Sequence, residues 1–284
     1  MPQPPTQPFT FSALLRLTRF WNLVIIALSQ YATACLLMGL QHFGDYRLFL
    51  LSSSTALIAA AGYIINDYYD IKIDLINKPE RVVIGKNITR RYAILFHTVL
   101  SVSGVGIGFL LNWKIGIINF LSAFLLWWYS NNLKRQPFVG NLTVAVLTGL
   151  SIELVNVFYV VNNQLVIIYA IFAFFMTLVR EIIKDMEDLK GDNTFGCKTL
   201  PIIWGLRKTK VLIYILLLVF STLVIVLNRF LVGLPIYYFI VFLFLPLGWL
   251  LARLIRADTI KDFCRLSLFC KVIMLLGILS MALV

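Results

Sequence analysis

The chain is poor in the residues on which most soluble enzymes rely. Its only two histidines, His42 and His97, stand far apart in 284 residues, which leaves a histidine-built metal site or a histidine-activated nucleophile without support. The four cysteines, Cys35, Cys197, Cys264 and Cys270, show no CxxC spacing. That pattern argues against zinc, and thiols facing a cytoplasm stay reduced, so no disulfide is expected. Charged residues make up 13% of the chain, against about 25% in an ordinary soluble domain. Acids are the scarcer sign, with 13 Asp and Glu against 25 Lys and Arg, for a net charge of +12.

What fills the chain instead is apolar: 60% of residues are hydrophobic, in runs near the length that crosses a bilayer. The reading is an all-α, multi-pass membrane protein with nine transmembrane helices, near residues 21–40, 48–66, 92–112, 114–131, 141–161, 165–183, 210–228, 234–255 and 265–284. The segment before the first span and the loops after spans two, four, six and eight, taken with the span ends that adjoin them, carry 22 of the 25 Lys and Arg. The positive-inside rule therefore places the N-terminus in the cytoplasm and the C-terminus outside, in the cell (inner) membrane if the cell is bacterial. This asymmetry, with anionic lipid or phosphate as the partner, accounts for the positive charge, so no nucleic acid is implied. No obligate protein partner is predicted.

Residues 1–20 read as a Pro- and Gln-rich tail followed by a short interfacial or membrane-leading segment, and 21–284 as a single intramembrane domain. No basic region or small-residue cleavage site precedes the first span, so that span is expected to be retained as an anchor.

The scarce acids are not scattered. Asp67, Asp70 and Asp74 lie at offsets of 0, 3 and 7, which on a helix fall within an arc of roughly 60°. Asp185, Asp188 and Asp192 repeat those offsets, provided the helix continues through them. Acids at cytoplasmic helix ends are commonly solvated caps. Two matched triads, each closing an even-numbered span and each flanked by Lys or Arg, ask for a shared cation. Four spans separate them, so both enter the membrane in the same direction. This suggests two four-helix units plus a ninth helix around a central cavity.

Oxygen ligands of this kind suit Mg²⁺, which is usually held by one or two carboxylates together with substrate phosphates. Six Asp exceed the need of one ion and suit two or three Mg²⁺ bridging a diphosphate. Lys78, Arg81, Lys134, Arg135, Arg180 and Lys184 stand beside the acids and could clamp the remaining phosphate oxygens. The chemistry that wants such a site is departure of diphosphate from an allylic carbon. A different class, a divalent-cation or ion-coupled transporter, would spread charge along a path across the membrane. Eleven of the thirteen acids instead lie on the cytoplasmic side, Asp45 and the intramembrane Glu153 being the exceptions. Glu153 is a candidate for orienting an acceptor or simply a hydrogen-bonded neutral acid.

NDYYDIKID, followed by NKPER, resembles the first Asp-rich signature of the UbiA superfamily of intramembrane prenyltransferases. REIIKDMEDLKGD with KTLP resembles its second, and YSNNLKR at 129–135 is similar to the loop after the fourth span. The resemblance covers nearly the whole chain and its nine-helix layout. It implies metal binding by Asp67, Asp70 and Asp74 and by Asp185, Asp188 and Asp192, with Asn66 beside the first set. Asp67, Asp70, Asp185, Asp188 and Lys184 are then the catalytic centre, and Lys78, Arg81, Lys134 and Arg180 substrate contacts. Arg19 and Asn22 resemble the family's R-P-x-N, with Phe20 in place of Pro. The implied reaction is Mg²⁺-dependent transfer from a prenyl diphosphate to a lipid-like or aromatic acceptor. The second motif most resembles the branch that uses geranylgeranyl diphosphate and geranylgeranylglyceryl phosphate; a quinone, chlorophyll or haem precursor is the alternative acceptor. Where relatives commonly read R-P-I-P-S-G, this chain has RVVIGK at 81–86.

Overall fold

The computed structural model describes residues 10–284, so the predicted tail lies, apart from Thr10, outside the described residues. The described residues are helical, with one isolated bridge between Ile84 and Ile88. Eight helical segments among them are long and apolar enough to cross a membrane: Phe20–Met38, Tyr46–Asn77, Arg90–Leu111, Val139–Tyr159, Gln164–Glu187, Leu200–Val232, Ile236–Arg256 and Ile260–Leu283. The remaining predicted span, 114–131, does form a helix, but Lys114, Asn119, Trp127, Trp128 and Tyr129 make it less apolar than the other eight.

The chain divides into two compact units. The first takes the described residues up to Tyr31 and Phe43–Lys134. Its helices are α1 (Phe11–Leu17), α2 (Phe20–Ala32, the last residue belonging to the second unit), α3 (Tyr46–Asn77), α4 (Arg90–Leu111) and α5 (Trp113–Asn131). Asp45, Thr89 and Asn112 cap α3, α4 and α5 by accepting backbone N–H groups with their side chains. The 32 residues of α3 span about 48 Å, well beyond a hydrocarbon core of about 30 Å. Its C-terminal turns, which carry the first acidic triad, thus extend past what the bilayer requires.

Small residues bring α3, α4 and α5 together, as in membrane helix packing generally. A Cβ at Gly104 of α4 would lie 2.9 Å from the Ser54 carbonyl oxygen of α3. Asn119 of α5, buried, donates through Nδ2 to Ser54 Oγ and to the Gly104 carbonyl, both at 3.2 Å. One of the residues that lower the hydropathy of α5 is therefore the one that ties the three helices. Leu17 at the end of α1 is fully buried with Ile64 of α3 and with Val83, Ile84 and Ile88 of the α3–α4 connection.

The second unit takes Ala32–His42 and Arg135–Val284. It holds α6 (Val139–Tyr159), α7 (Gln164–Glu187), α8 (Leu189–Thr194), α9 (Leu200–Leu227), α10 (Ile236–Phe239), α11 (Leu245–Arg256) and α12 (Ile260–Ser280). α9 is broken at Gly205, whose φ of 75° a side chain would resist. α7 is the axis of this unit: α6, α9 and α12 pack on it, around Met176, Val179, Ile183, Phe220, Leu266 and Ile273.

The second acidic triad does not lie on one uninterrupted helix. α7 ends at Glu187, Asp188 sits at the bend, and Asp192 belongs to the short α8. Asp188 itself leaves the helical conformation, with φ of −90° and ψ of 6°, so the chain turns there before Leu189–Thr194 form the short α8.

Candidate active site

In the first unit each of the first two triad acids receives a cation from far along the chain. Arg19 Nη2 donates to Asp67 Oδ1 at 2.8 Å, and its guanidinium lies 4.8 Å from the Tyr63 ring centre, one turn back on α3. Arg19 has a φ of 51°, an uncommon conformation that costs about 1–3 kcal/mol for a residue with a side chain. Burial of Leu17 just before it and the ion pair at its own side chain offset that cost and fix the turn from α1 into α2. Burial opposes the Arg19 charge, but Asp67, Tyr63 and Asp74 together outweigh it, so its pKa is raised above the ordinary arginine value.

Lys134, in the turn after α5, holds Asp70: Nζ is 2.6 Å from Oδ1, with side-chain exposures of only 9% and 16%. The same Nζ approaches the Asn66 carbonyl at 3.5 Å and Asn66 Oδ1 at 3.4 Å. Asn22 Nδ2 donates to the Tyr63 hydroxyl at 3.4 Å. Asn66, Asp67, Asp70, Arg19, Asn22 and Lys134, drawn from three separate stretches, thus form one polar cluster. Asp74 remains on α3, one turn farther along, where its carbonyl accepts the N–H of Lys78 at 2.8 Å. Arg81 stands apart, exposed and 3.9 Å from the exposed Glu80.

In the second unit Asp185 accepts from a neutral group, Asn141 Nδ2, at 2.9 Å. Asn141 is buried in the first turn of α6. One turn before Asp185, Glu181 takes Arg180 through Oε1 and faces Lys184 through Oε2 at 4.0 Å. The segment after α8 is held by the Lys198 N–H donating to the Arg135 carbonyl at 2.8 Å. Asn141, Tyr63 and Glu181 complete these clusters, although the sequence alone assigns them no role. A polar residue opening an apolar span is the available signal for Asn141, and α-helical spacing for the other two.

Glu153 belongs to another group. Its Oε1 accepts from Asn156 Nδ2 at 3.0 Å, and Asn156 in turn bonds the Asn163 backbone across the α6–α7 turn. This places Glu153 in the polar set that closes that turn, rather than beside the Asp185 cluster.

The donor set is all oxygen, with Lys and Arg close by, which fits a hard cation and its phosphate ligand. Among the described residues no group of three or more His, Cys, Asp or Glu could hold a metal ion by itself. Mg²⁺ does not demand one, because it needs only one or two carboxylates when phosphate and water complete its shell.

The chain has counterparts of known identity. It is 33% identical over 278 residues to digeranylgeranylglyceryl phosphate synthase of Saccharolobus solfataricus, covering 95% of this chain and 96% of the relative. A solved structure concerned with digeranylgeranylglyceryl phosphate synthase in membranes superposes with a TM-score of 0.71 at 24% identity, covering 96% of this chain and 97% of the other. A UbiA homologue from Archaeoglobus fulgidus bound to DMAPP and Mg²⁺ superposes with a TM-score of 0.58 at 15% identity, covering 95% of this chain and 99% of the other. The UbiA prenyltransferase family model matches residues 27–273. On that match and the relationship to the Saccharolobus enzyme, the chain belongs to the UbiA prenyltransferase family and is a membrane prenyltransferase.

Proposed function

We propose that this enzyme transfers a geranylgeranyl group from geranylgeranyl diphosphate to the free glycerol hydroxyl of geranylgeranylglyceryl phosphate. The observation that carries the reading is the cluster at the end of α3, where Asp67, Asp70 and Asn66 share one helix surface with Arg19 and Lys134. Such a cluster offers oxygens to cations and cations to phosphate at once. The name of the Saccharolobus relative supports the acceptor, and DMAPP with Mg²⁺ in the Archaeoglobus homologue supports the donor class and the metal.

Asp67 and Asp70 with Asn66, and Asp185 with Asp188 and Asp192, are the residues proposed to hold Mg²⁺. When bound, the ion neutralises charge that builds on the departing diphosphate. Arg19 and Lys134, which pair with Asp67 and Asp70, and Arg180 and Lys184, which face Glu181 one turn before Asp185, are the cations proposed to donate to diphosphate oxygens. The allylic C–O bond breaks and its electron pair leaves with diphosphate. A lone pair of the acceptor hydroxyl forms the new ether bond, and its proton leaves with the diphosphate. No covalent nucleophile of the protein takes part.

The same proposal places α5 as a ninth span. Its 19 residues extend about 28 Å, close to the thickness of the hydrocarbon core. It also places the acidic helix ends on the cytoplasmic side. Cysteines introduced at Ile84 and Phe195 are expected to react with a cytoplasmic label and one at Val284 with an external label; reversed labelling overturns the orientation.

The decisive experiment incubates the purified enzyme with Mg²⁺, prenyl diphosphates of several lengths, and geranylgeranylglyceryl phosphate or aromatic acceptors, and identifies products by mass. A digeranylgeranylglyceryl phosphate product that disappears with chelation and returns with Mg²⁺ supports the proposal. Prenylation of a quinone precursor alone overturns its acceptor.

A further inference from the structure

α7 ends in a charged face that the metal-binding acids do not exhaust. Arg180 and Lys184 are four residues apart, one turn of helix, and so share a face. Two cations placed there repel each other and, left alone, would turn toward different partners. Glu181 stands between them. Its Oε1 takes Arg180 Nη1 and its Oε2 faces Lys184 Nζ at 4.0 Å, so each carboxylate oxygen is turned to one cation.

Glu181 has little freedom to do otherwise. Its side chain is 9% exposed, and the helix on either side is locked by Leu178, Val179, Ile182 and Ile183, none more than 2% exposed. A carboxylate in that position cannot exchange its partners for water cheaply. Arg180 is not used up by the pairing: Glu181 takes Nη1, and the side chain remains 20% exposed. A guanidinium has five N–H donors, so others remain for a further oxygen such as that of a phosphate.

We propose that Glu181 is a positioning residue that holds Arg180 and Lys184 at a fixed separation for the diphosphate of the prenyl donor. The inference rests on the prenyl-transfer reading above and concerns donor binding alone. It differs from a merely stabilising buried ion pair, because it requires that loss of the Glu181 charge weaken diphosphate binding. A carboxylate acting only as a nearby negative charge would have the opposite effect, since its removal would relieve repulsion and tighten binding.

The test uses the full-length enzyme in lipid nanodiscs, with inorganic diphosphate plus Mg²⁺ as the probe. Glu181→Gln is expected to raise the inhibition constant of diphosphate and the donor KM about tenfold or more, while the acceptor KM stays within about twofold. Glu181→Asp, one methylene shorter and unable to reach both cations, is expected to raise both donor constants by about three- to tenfold. Wild-type diphosphate binding in the folded Gln variant, or tighter binding, overturns the proposal. If the Gln variant does not fold, the Asp variant decides, and wild-type constants there overturn it equally. Asp185→Asn separates this inference from the reading beneath it. Lost turnover in that variant with unchanged diphosphate binding in the Glu181 variants sinks only the role of Glu181, whereas full turnover in Asp185→Asn sinks the prenyl-transfer site itself.

Discussion

The two acidic clusters meet the same electrostatic problem by different means. In the first unit, charge is answered by charge from far along the chain: Arg19 reaches Asp67 across 48 residues, and Lys134 reaches Asp70 across 64. In the second, Asp185 receives a neutral amide from Asn141, while the neighbouring cations Arg180 and Lys184 are engaged by Glu181 on the same helix. The first arrangement depends on how α1 and the turn after α5 pack onto α3. The second keeps its ion pairs on one helix, α7, and takes the amide of Asn141 from α6. A site assembled from distant segments is sensitive to packing, whereas one built on a single helix is sensitive to the identity of each residue.

The largest expected effects fall on what the two clusters have in common. Asp67→Asn and Asp185→Asn preserve shape and remove one charge each. Either change is expected to lower kcat by about a thousandfold or more while leaving membrane insertion intact. Turnover under saturating Mg²⁺ is the measurement, and near-normal activity in either variant would show that the clusters are not equivalent partners in catalysis.

Next in size come the cations that distinguish the first unit. Lys134→Met leaves Asp70 as a poorly solvated carboxylate without its ion-pair partner and is expected to cost about 1.5–3 kcal/mol of stability. Activity should fall as well, because the same ammonium is proposed to meet the diphosphate. A double-mutant cycle between Lys134→Met and Asp70→Asn, read by thermal unfolding, should show strong coupling. The corresponding cycle between Arg19→Gln and Asp67→Asn should show less, since Arg19 is more exposed than Lys134. Equal coupling would remove the distinction between a buried and a half-exposed pair.

Much of the first cluster is legible in the sequence, and the reasons are physical. The 0, 3, 7 spacing of Asp67, Asp70 and Asp74 has meaning only on a helix, and a long apolar run ahead of it supplies one. The same spacing misleads for Asp185, Asp188 and Asp192, because the backbone leaves the helix at Asp188 and resumes as the separate α8, which ends the continuity that the spacing assumes. Lys134 is readable as a flanking cation, but its partner is not, since pairing across 64 residues depends on how helices pack. Arg19 is marked by a motif with Phe20 where Pro is usual; only the fold shows that the left-handed turn at Arg19 delivers its side chain to Asp67. Asn119 has no role assigned from the sequence, and in the fold it is the hydrogen-bonding residue that joins three helices.

A smaller effect should separate the neutral partner in the second unit from the charged partners in the first. Asn141→Ala removes one hydrogen bond to Asp185 without exposing an opposite charge, so a fall in activity of about tenfold is expected. Asn141→Asp should be worse than Ala, because it sets a second carboxylate against the first. If Ala and Asp behave alike in an assay of Mg²⁺ dependence, the amide matters for packing alone.

The smallest expected effect concerns the acceptor, whose phosphate brings a second anion to the enzyme. The α3–α4 connection is pinned by Val83, Ile84 and Ile88, all buried, with Gly85 at a φ of 91° between them. This holds the RVVIGK loop in a defined shape at the base of α4 and leaves its basic residues outward. Lys86 donates to the Pro79 carbonyl at 2.8 Å, and Arg90 and Arg91 are exposed in the first turn of α4. None of the three belongs to the clusters around Asp67 or Asp185, so neutralising them together should leave kcat nearly unchanged. Because an exposed phosphate contact is mostly uniform binding, the acceptor KM should rise about three- to tenfold and the donor KM by less than about twofold. The rise should shrink at high salt, as screening weakens contacts between exposed charges. A triple variant with unchanged acceptor KM would remove these residues from acceptor recognition, and equal rises in both KM values would make the loop a general anion patch. Only a selective rise extends the comparison to a third basic region, one reserved for the acceptor and separate from the cations that meet the diphosphate.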